Sequence, residues 1–200
     1  VLTGPGWGPM LDCVRYHHAA ELRGAQGDLP PDSPAWIVYL ADSLSATDDR
    51  QEIEGESTAS RRDLPLNSVF THLNGSHPGW TMPPQPQDGK LRLPQKQHPL
   101  PTSAYGDAVR RLQQYLPELQ PQPEAINSLL GLLETQLSGF PSSISNGESA
   151  DISLYDHART TAAMAACISG YVQANGITDL RRTLFEQEAA FRKQNAFLLY

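Results

Sequence analysis

One imidazole and two carboxylates crowd the segment Asp151-Ile-Ser-Leu-Tyr-Asp-His157, directly ahead of the small, apolar run Ala158-Arg-Thr-Thr-Ala-Ala-Met-Ala-Ala-Cys-Ile168. Two more imidazoles, His17 and His18, and the carboxylate of Asp42, set among apolar residues, lie near the other end of the chain. Imidazole with carboxylate suits Mn²⁺, Fe²⁺, Co²⁺ or Ni²⁺, and a metal so held activates water for phosphodiester hydrolysis. Each residue also has an ordinary explanation. His17-His18 can be a core histidine with a solvated neighbour, and Asp42 can cap a helix or pair with an arginine. Asp151, Ser153 and Asp156 suit a helix start, with Ser153 and Asp156 spaced as a capping box. His157 is left over, because helix starts favour acids over imidazoles. Nothing in the spacing alone requires the three helices carrying these residues to converge.

The elements that must position them follow from periodicity. From Pro9 to about Leu22, the residues Leu11, Val14, His18 and Leu22 fall on one helical face, which turns His18 inward and leaves His17 on the rim. Ser33 as N-cap and Pro34 at the first position announce a helix to about Ser45, with Asp42 one turn after Val38 at the edge of its buried face. A carboxylate there needs a partner or a metal, since burying it alone is costly. Helices are also expected at about Ala104 to Leu116 and from Glu124 to Leu137, the latter with a core stripe of Ile126, Leu129, Leu130, Leu133 and Leu137. The longest and most buried helix is expected from Ser153 to Val172, closed by Asn175-Gly176.

Between these lie less regular stretches. Residues 48–63 read as a polar loop, and Leu66 to Leu73 as a short extended or irregular segment with which Lys90–Leu93 can pair as a small β-ribbon. The Pro- and Gln-rich span 76–101 reads as a surface loop without chemistry. The fold class expected is mainly α: a helical bundle with a long Pro-rich loop and a small β-ribbon.

Composition narrows the function classes. A charged share of 18% and a hydrophobic share of 39% fit a globular chain able to bury a core. The net charge of −7 argues against a surface coated for non-specific nucleic-acid binding, while Arg61-Arg62, Arg110-Arg111 and Arg181-Arg182 leave room for a local basic patch or for plain solvated faces. No apolar run approaches a membrane span. Cys13 and Cys167 each sit in an apolar helical stretch and read as buried free thiols of a reducing, cytoplasmic compartment. There is no Gly-rich phosphate loop, no Cys-x-x-Cys pair and no Gly-x-Ser-x-Gly turn. The chain opens at Val1 without an initiator Met and closes on Phe197-Leu-Leu-Tyr200, so it reads as a piece of something larger.

Taken together, Tyr16-His-His18, Ala41-Asp42-Ser-Leu-Ser45, Pro65-Leu-Asn-Ser-Val-Phe70, Phe140-Pro-Ser-Ser143 and Asp151-Ile-Ser-Leu-Tyr-Asp-His-Ala-Arg-Thr-Thr-Ala-Ala163 resemble, in order, the large polymerase-like subunit of the type III-A CRISPR effector complex, Csm type. The resemblance implies a permuted HD nuclease domain over 1–175, followed at 176–200 by a linker and the first strand of a palm domain. It implies cleavage of single-stranded DNA with a divalent transition metal (Mn²⁺, Ni²⁺ or Co²⁺) held by His17, His18, Asp42 and His157. Guide RNA–protein effector subunits would be partners and target RNA an indirect one. The family's palm motif, which makes cyclic oligoadenylates from ATP, would lie beyond Tyr200. One departure stands out: the family's His-Asp doublet upstream of the double histidine is absent, since no His-Asp dipeptide occurs in the chain. Truncation explains this, and so does true loss. Two functions of different class therefore stay open, a metal-dependent nuclease and an inactive module serving assembly. An unrelated helical binding domain is the third.

Overall fold

Helices form where the apolar spacing asked for most of them. The computed structural model describes residues 7–46, 62–74, 79–84, 93–96, 99–120, 122–142 and 150–194. These are mainly helical, with a small three-stranded sheet, and they group into two compact units where the sequence suggested one helical domain over 1–175. The discontinuous unit holds 7–46 and 158–194; the inserted unit holds the described residues between 62 and 157.

In the discontinuous unit, α1 (Gly8–Arg15), α2 (Ala19–Gly24) and α3 (Ala35–Ser45) precede most of α7 (Leu154–Ala174), a π-helical turn (Arg181–Glu186) and α8 (Glu188–Gln194). Helix α3 is its centre. Ala35, Trp36, Leu40 and Ala41 are fully buried, and they pack with Leu22, Ile168, Val172, Leu180, Leu184 and Phe191. The indole N–H of Trp36 donates to the Pro30 carbonyl at 2.9 Å, so the buried ring carries no unmet donor. Phe185 packs near Trp36 and edge-on to Tyr39. Within the span expected as a linker, Arg181–Glu186 and Glu188–Gln194 are helical and Leu180, Leu184 and Phe191 join this core, while the strand expected at 197–200 lies outside the described residues.

Helix α7 ends as its sequence indicates. Gly176 takes a φ of +62°, a conformation that costs side-chain-bearing residues, and the Ile177 N–H returns to the Val172 carbonyl at 2.9 Å. The helix is less buried than expected. Thr161, Ile168 and Val172 face the core, while Ala162, Ala163, Ala166, Cys167 and Gly170 are exposed. Cys167 is thus an exposed thiol, Cys13 a half-buried one, and both are free. No described helix is long and apolar enough to cross a membrane.

The inserted unit has a smaller core of Leu100, Ala104, Ala108 and Phe140, with Tyr105 and Leu154 packed against it. It contains α4 (Val69–Asn74), α5 (Ala104–Tyr115), α6 (Ile126–Leu137) and the start of α7. Leu66–Leu73 is not one extended segment: it is a two-residue strand β1 (Leu66–Asn67) running into α4. The ribbon exists with other partners. β1 pairs antiparallel with β2 (Trp80–Met82), and β2 with β3 (Gln95–Lys96), so part of the expected Pro-rich loop supplies the central strand. Leu93 lies outside the strands and is exposed, and Lys90–Arg92 fall outside the described residues. The leucine stripe of α6 is half-buried and Ile126 exposed; Gln136, which accepts from Arg111, is the residue that α6 buries.

Candidate metal centre

The double histidine does not lie on a continuous helix. Helix α1 stops at Arg15, Tyr16 closes it with φ −115° and ψ 21°, and His18 is extended at φ −93° and ψ 148° ahead of α2. A local competition accounts for the break. The carbonyl of Val14 would accept the N–H of His18 in an unbroken helix, but His17 Nδ1 lies 2.7 Å from it and donates to it instead. The expected inward face is accordingly lost: Leu11 and Val14 are exposed, the His18 side chain is 52% exposed, and Leu22 is the member fully buried.

The same bond orders His17 chemically. A nitrogen facing a carbonyl must carry a proton, so Nδ1 is the donor, and in the neutral ring Nε2 keeps its lone pair for a ligand. The His17 and His18 rings lie against each other, centroids 3.8 Å apart and tilted by 41°.

Asp42 behaves as the sequence suggested. It sits in the last turns of α3, 5% exposed, and its Oδ2 lies 3.6 Å from His18 Nδ1. That separation is longer than a hydrogen bond. It is close to the ~3.4 Å edge between two donors bound tetrahedrally at ~2.1 Å to one ion. Two hydroxyls steady this turn, and the side-chain reading of the sequence had not singled them out. Ser45 Oγ donates to the Asp42 carbonyl at 3.0 Å, and Thr161 Oγ1 of α7 lies 2.7 Å from Ser45 Oγ. Next to Asp42, Ser43 accepts from Arg192, which pairs with Glu188 at 2.6 Å, and Glu188 in turn accepts from Tyr39 at 2.7 Å. The four-residue spacings Tyr39–Ser43 and Glu188–Arg192 were the available signal for this network.

His157 stands in the first turn of α7, half-buried, in the inserted unit. Its turn is built as its sequence indicates: Ser153 Oγ accepts the Asp156 N–H at 3.0 Å and donates to the Asp156 carboxylate at 2.7 Å. Within the discontinuous unit the His17 ring lies against that of His18, and His18 faces the Asp42 carboxylate, while His157 belongs to the inserted unit. Among the described residues, no group of three or more His, Cys, Asp and Glu side chains is arranged to hold a metal ion. In donor chemistry, two imidazoles and a buried carboxylate nonetheless fit a divalent transition metal. The arginine pairs are ordinary: Arg110 pairs with Asp107, Arg181 with Glu186, and Arg182 is exposed, while Arg61 lies outside the described residues.

No family model matches the chain. It is 32% identical over 199 residues to a Mycobacterium tuberculosis protein, covering 95% of this chain and 24% of that one. It is 32% identical over 203 residues to a protein of Enterococcus italicus, covering 95% and 27%, and 31% identical over 197 residues to one of Streptococcus thermophilus, covering 94% and 26%. All three relatives bear the name CRISPR system single-strand-specific deoxyribonuclease Cas10/Csm1 (subtype III-A). The chain spans about a quarter of the length of these curated relatives.

Proposed function

The chain belongs to the Cas10/Csm1 family of subtype III-A CRISPR systems, and on that premise we propose that it is the module of such a subunit that cuts single-stranded DNA with a divalent transition metal, Mn²⁺, Ni²⁺ or Co²⁺. The observation that carries the proposal is the buried Asp42 carboxylate facing His18, with His17 against it, on a helix at the centre of a well-packed core. A carboxylate held at 5% exposure loses most of its hydration, and a nearby cation would offset that cost.

His17, His18 and Asp42 would hold the ion. Bound there, it would polarise a scissile phosphate and lower the pKa of an attacking water. The chain's own residues do the rest. The bond from His17 to Val14 holds that ring in one tautomer, and the extended backbone of His18 turns its ring off the helix toward Asp42. The Thr161–Ser45 hydroxyl pair fastens the turn that carries Asp42. The part that the resemblance gives His157 is a matter for mutation. Within the proposal, guide RNA–protein effector subunits are the partners and target RNA acts through them.

The test is cleavage of an end-labelled oligo(dT) by this chain with Mn²⁺ and with EDTA. Mn²⁺-dependent cutting that Asp42→Asn lowers at least 100-fold, with an unchanged thermal midpoint, supports the proposal. Loss in His157→Ala without unfolding would add His157 to the ligands. A folded chain that cuts nothing, or cuts equally well as Asp42→Asn, refutes the assignment of the nuclease to these residues.

A further inference from the structure

The three tryptophans of the chain differ sharply. Trp7 and Trp36 are buried, whereas Trp80, on the central strand of the inserted unit's sheet, is 41% exposed. The register of β2 on β3 sets Trp80 directly opposite Lys96, so indole and ammonium share one face of the sheet, and Lys96 is exposed as well. Thr81, the next residue, points to the opposite face and is buried. Phe70, 63% exposed, lies in the segment between Ser68 and Thr71, the two residues that bond to Trp80. The Trp80 N–H donates to the Thr71 hydroxyl at 2.9 Å, and the Trp80 carbonyl accepts from Thr71 at 3.1 Å and from the Ser68 N–H at 2.8 Å. Gly79 makes this approach possible, because a Cβ there would stand 2.8 Å from the Thr71 methyl. Trp80 and the segment that carries Phe70 are therefore tightly held to each other through the backbone.

Exposed aromatic rings beside a cation are what a single strand of nucleic acid uses. Unpaired bases stack on the π-faces and the adjacent phosphate meets the ammonium, whereas paired bases are already stacked on each other. With a net charge of −7 the chain has little counterion-driven affinity to offer, so stacking is the contribution that can select a single strand. We propose that Trp80 and Phe70, with Lys96, form a stacking platform for single-stranded DNA on the inserted unit. The platform rests on the reading that the chain acts on single-stranded DNA, and it adds a way to grip the strand to the residues proposed to cut it.

Tryptophan emission of the whole chain, titrated with oligo(dT) in EDTA, tests the platform, with anisotropy of a labelled oligo(dT) giving the affinity. Saturable quenching is expected, since Trp80 holds the exposed indole. Trp80→Leu should abolish the quenching and weaken binding about ten-fold, Phe70→Leu should weaken it less, and Trp80→Tyr should restore most of it. Lys96→Ala should lower the salt slope by about one. The platform is overturned by unchanged affinity in a Trp80→Leu chain that melts normally, by equal binding of duplex, by a Trp80-dependent preference for oligo(rU), or by a Trp80-dependent dimer in sedimentation. EDTA keeps the two readings apart. Quenching without Mn²⁺-dependent cleavage leaves the platform standing and removes the nuclease; cleavage with Trp80-independent binding does the reverse.

Discussion

The two units bury their apolar residues to very different depths. In the discontinuous unit, Leu22, Trp36, Leu40, Ile168 and Leu184 are all sealed from solvent, whereas in the inserted unit Phe140 alone among the described large side chains reaches that depth. The inserted unit leaves Val69, Phe70, Trp80, Leu93, Val109, Tyr115 and Ile126 exposed, against Met10, Leu11 and Val14 in the discontinuous unit. Dense packing holds side chains in single rotamers, which a carboxylate needs if it is to stay buried and aimed. Asp42 is on the dense unit. Exposed rings suit contact with a partner, and Trp80 and Phe70 are on the inserted unit.

This contrast can be broken by mutation. Trp36→Ala should cost about 3–5 kcal/mol in a denaturant melt followed by circular dichroism, because it empties the centre of the larger core. A leucine truncation on half-buried α6, Leu133→Ala, should cost less than about 2 kcal/mol. Equal losses would erase the distinction between the units.

Alkali sharpens it. Burial, and then the hydrogen bond to Glu188, push the Tyr39 hydroxyl from its ordinary value near 10 up to about 12. A raised value favours the neutral phenol in the folded state, so its contribution is whole below pH 10 and is lost as the pH rises to about 12. Urea melts of the discontinuous unit should weaken across that window, and Tyr39→Phe should flatten the dependence. A dependence unchanged in Tyr39→Phe would place the titrating group elsewhere.

Smaller effects mark the helix ends and the thiols. Ser153→Ala removes both capping contacts with Asp156 and should lower stability by about 1 kcal/mol. Cys13 should react with a thiol reagent more slowly than exposed Cys167, since burial and the nearby Asp12 raise its pKa. Equal rates would show that α1 opens readily.

Much of this was readable beforehand where a residue's role is local. Ser153 with Asp156 declared the start of α7, Asn175-Gly176 its end, and Ser33-Pro34 the start of α3 to within one residue, since α3 begins at Ala35 with Pro34 as its N-cap. Asp42 was legible as a carboxylate at a buried edge. The break at His17-His18 was not, because a helical spacing of Leu11, Val14 and His18 carries no sign that the His17 ring takes the Val14 carbonyl. A small ribbon was legible, but its pairing was not: strands of two and three residues are too short for a period of two to show, and Pro83 and Pro84 mask the strand before them. The burial of α6 and α7 was overestimated because apolar or small residues on a helix do not say what covers them.

Calorimetric titration of the folded chain with Mn²⁺, beside Asp42→Asn, tests the central claim most directly. Saturable binding in the parent sequence, lost in Asp42→Asn with the melting midpoint retained, is the result the account predicts. A folded chain that binds no Mn²⁺, or binds it equally well without the Asp42 carboxylate, would contradict it.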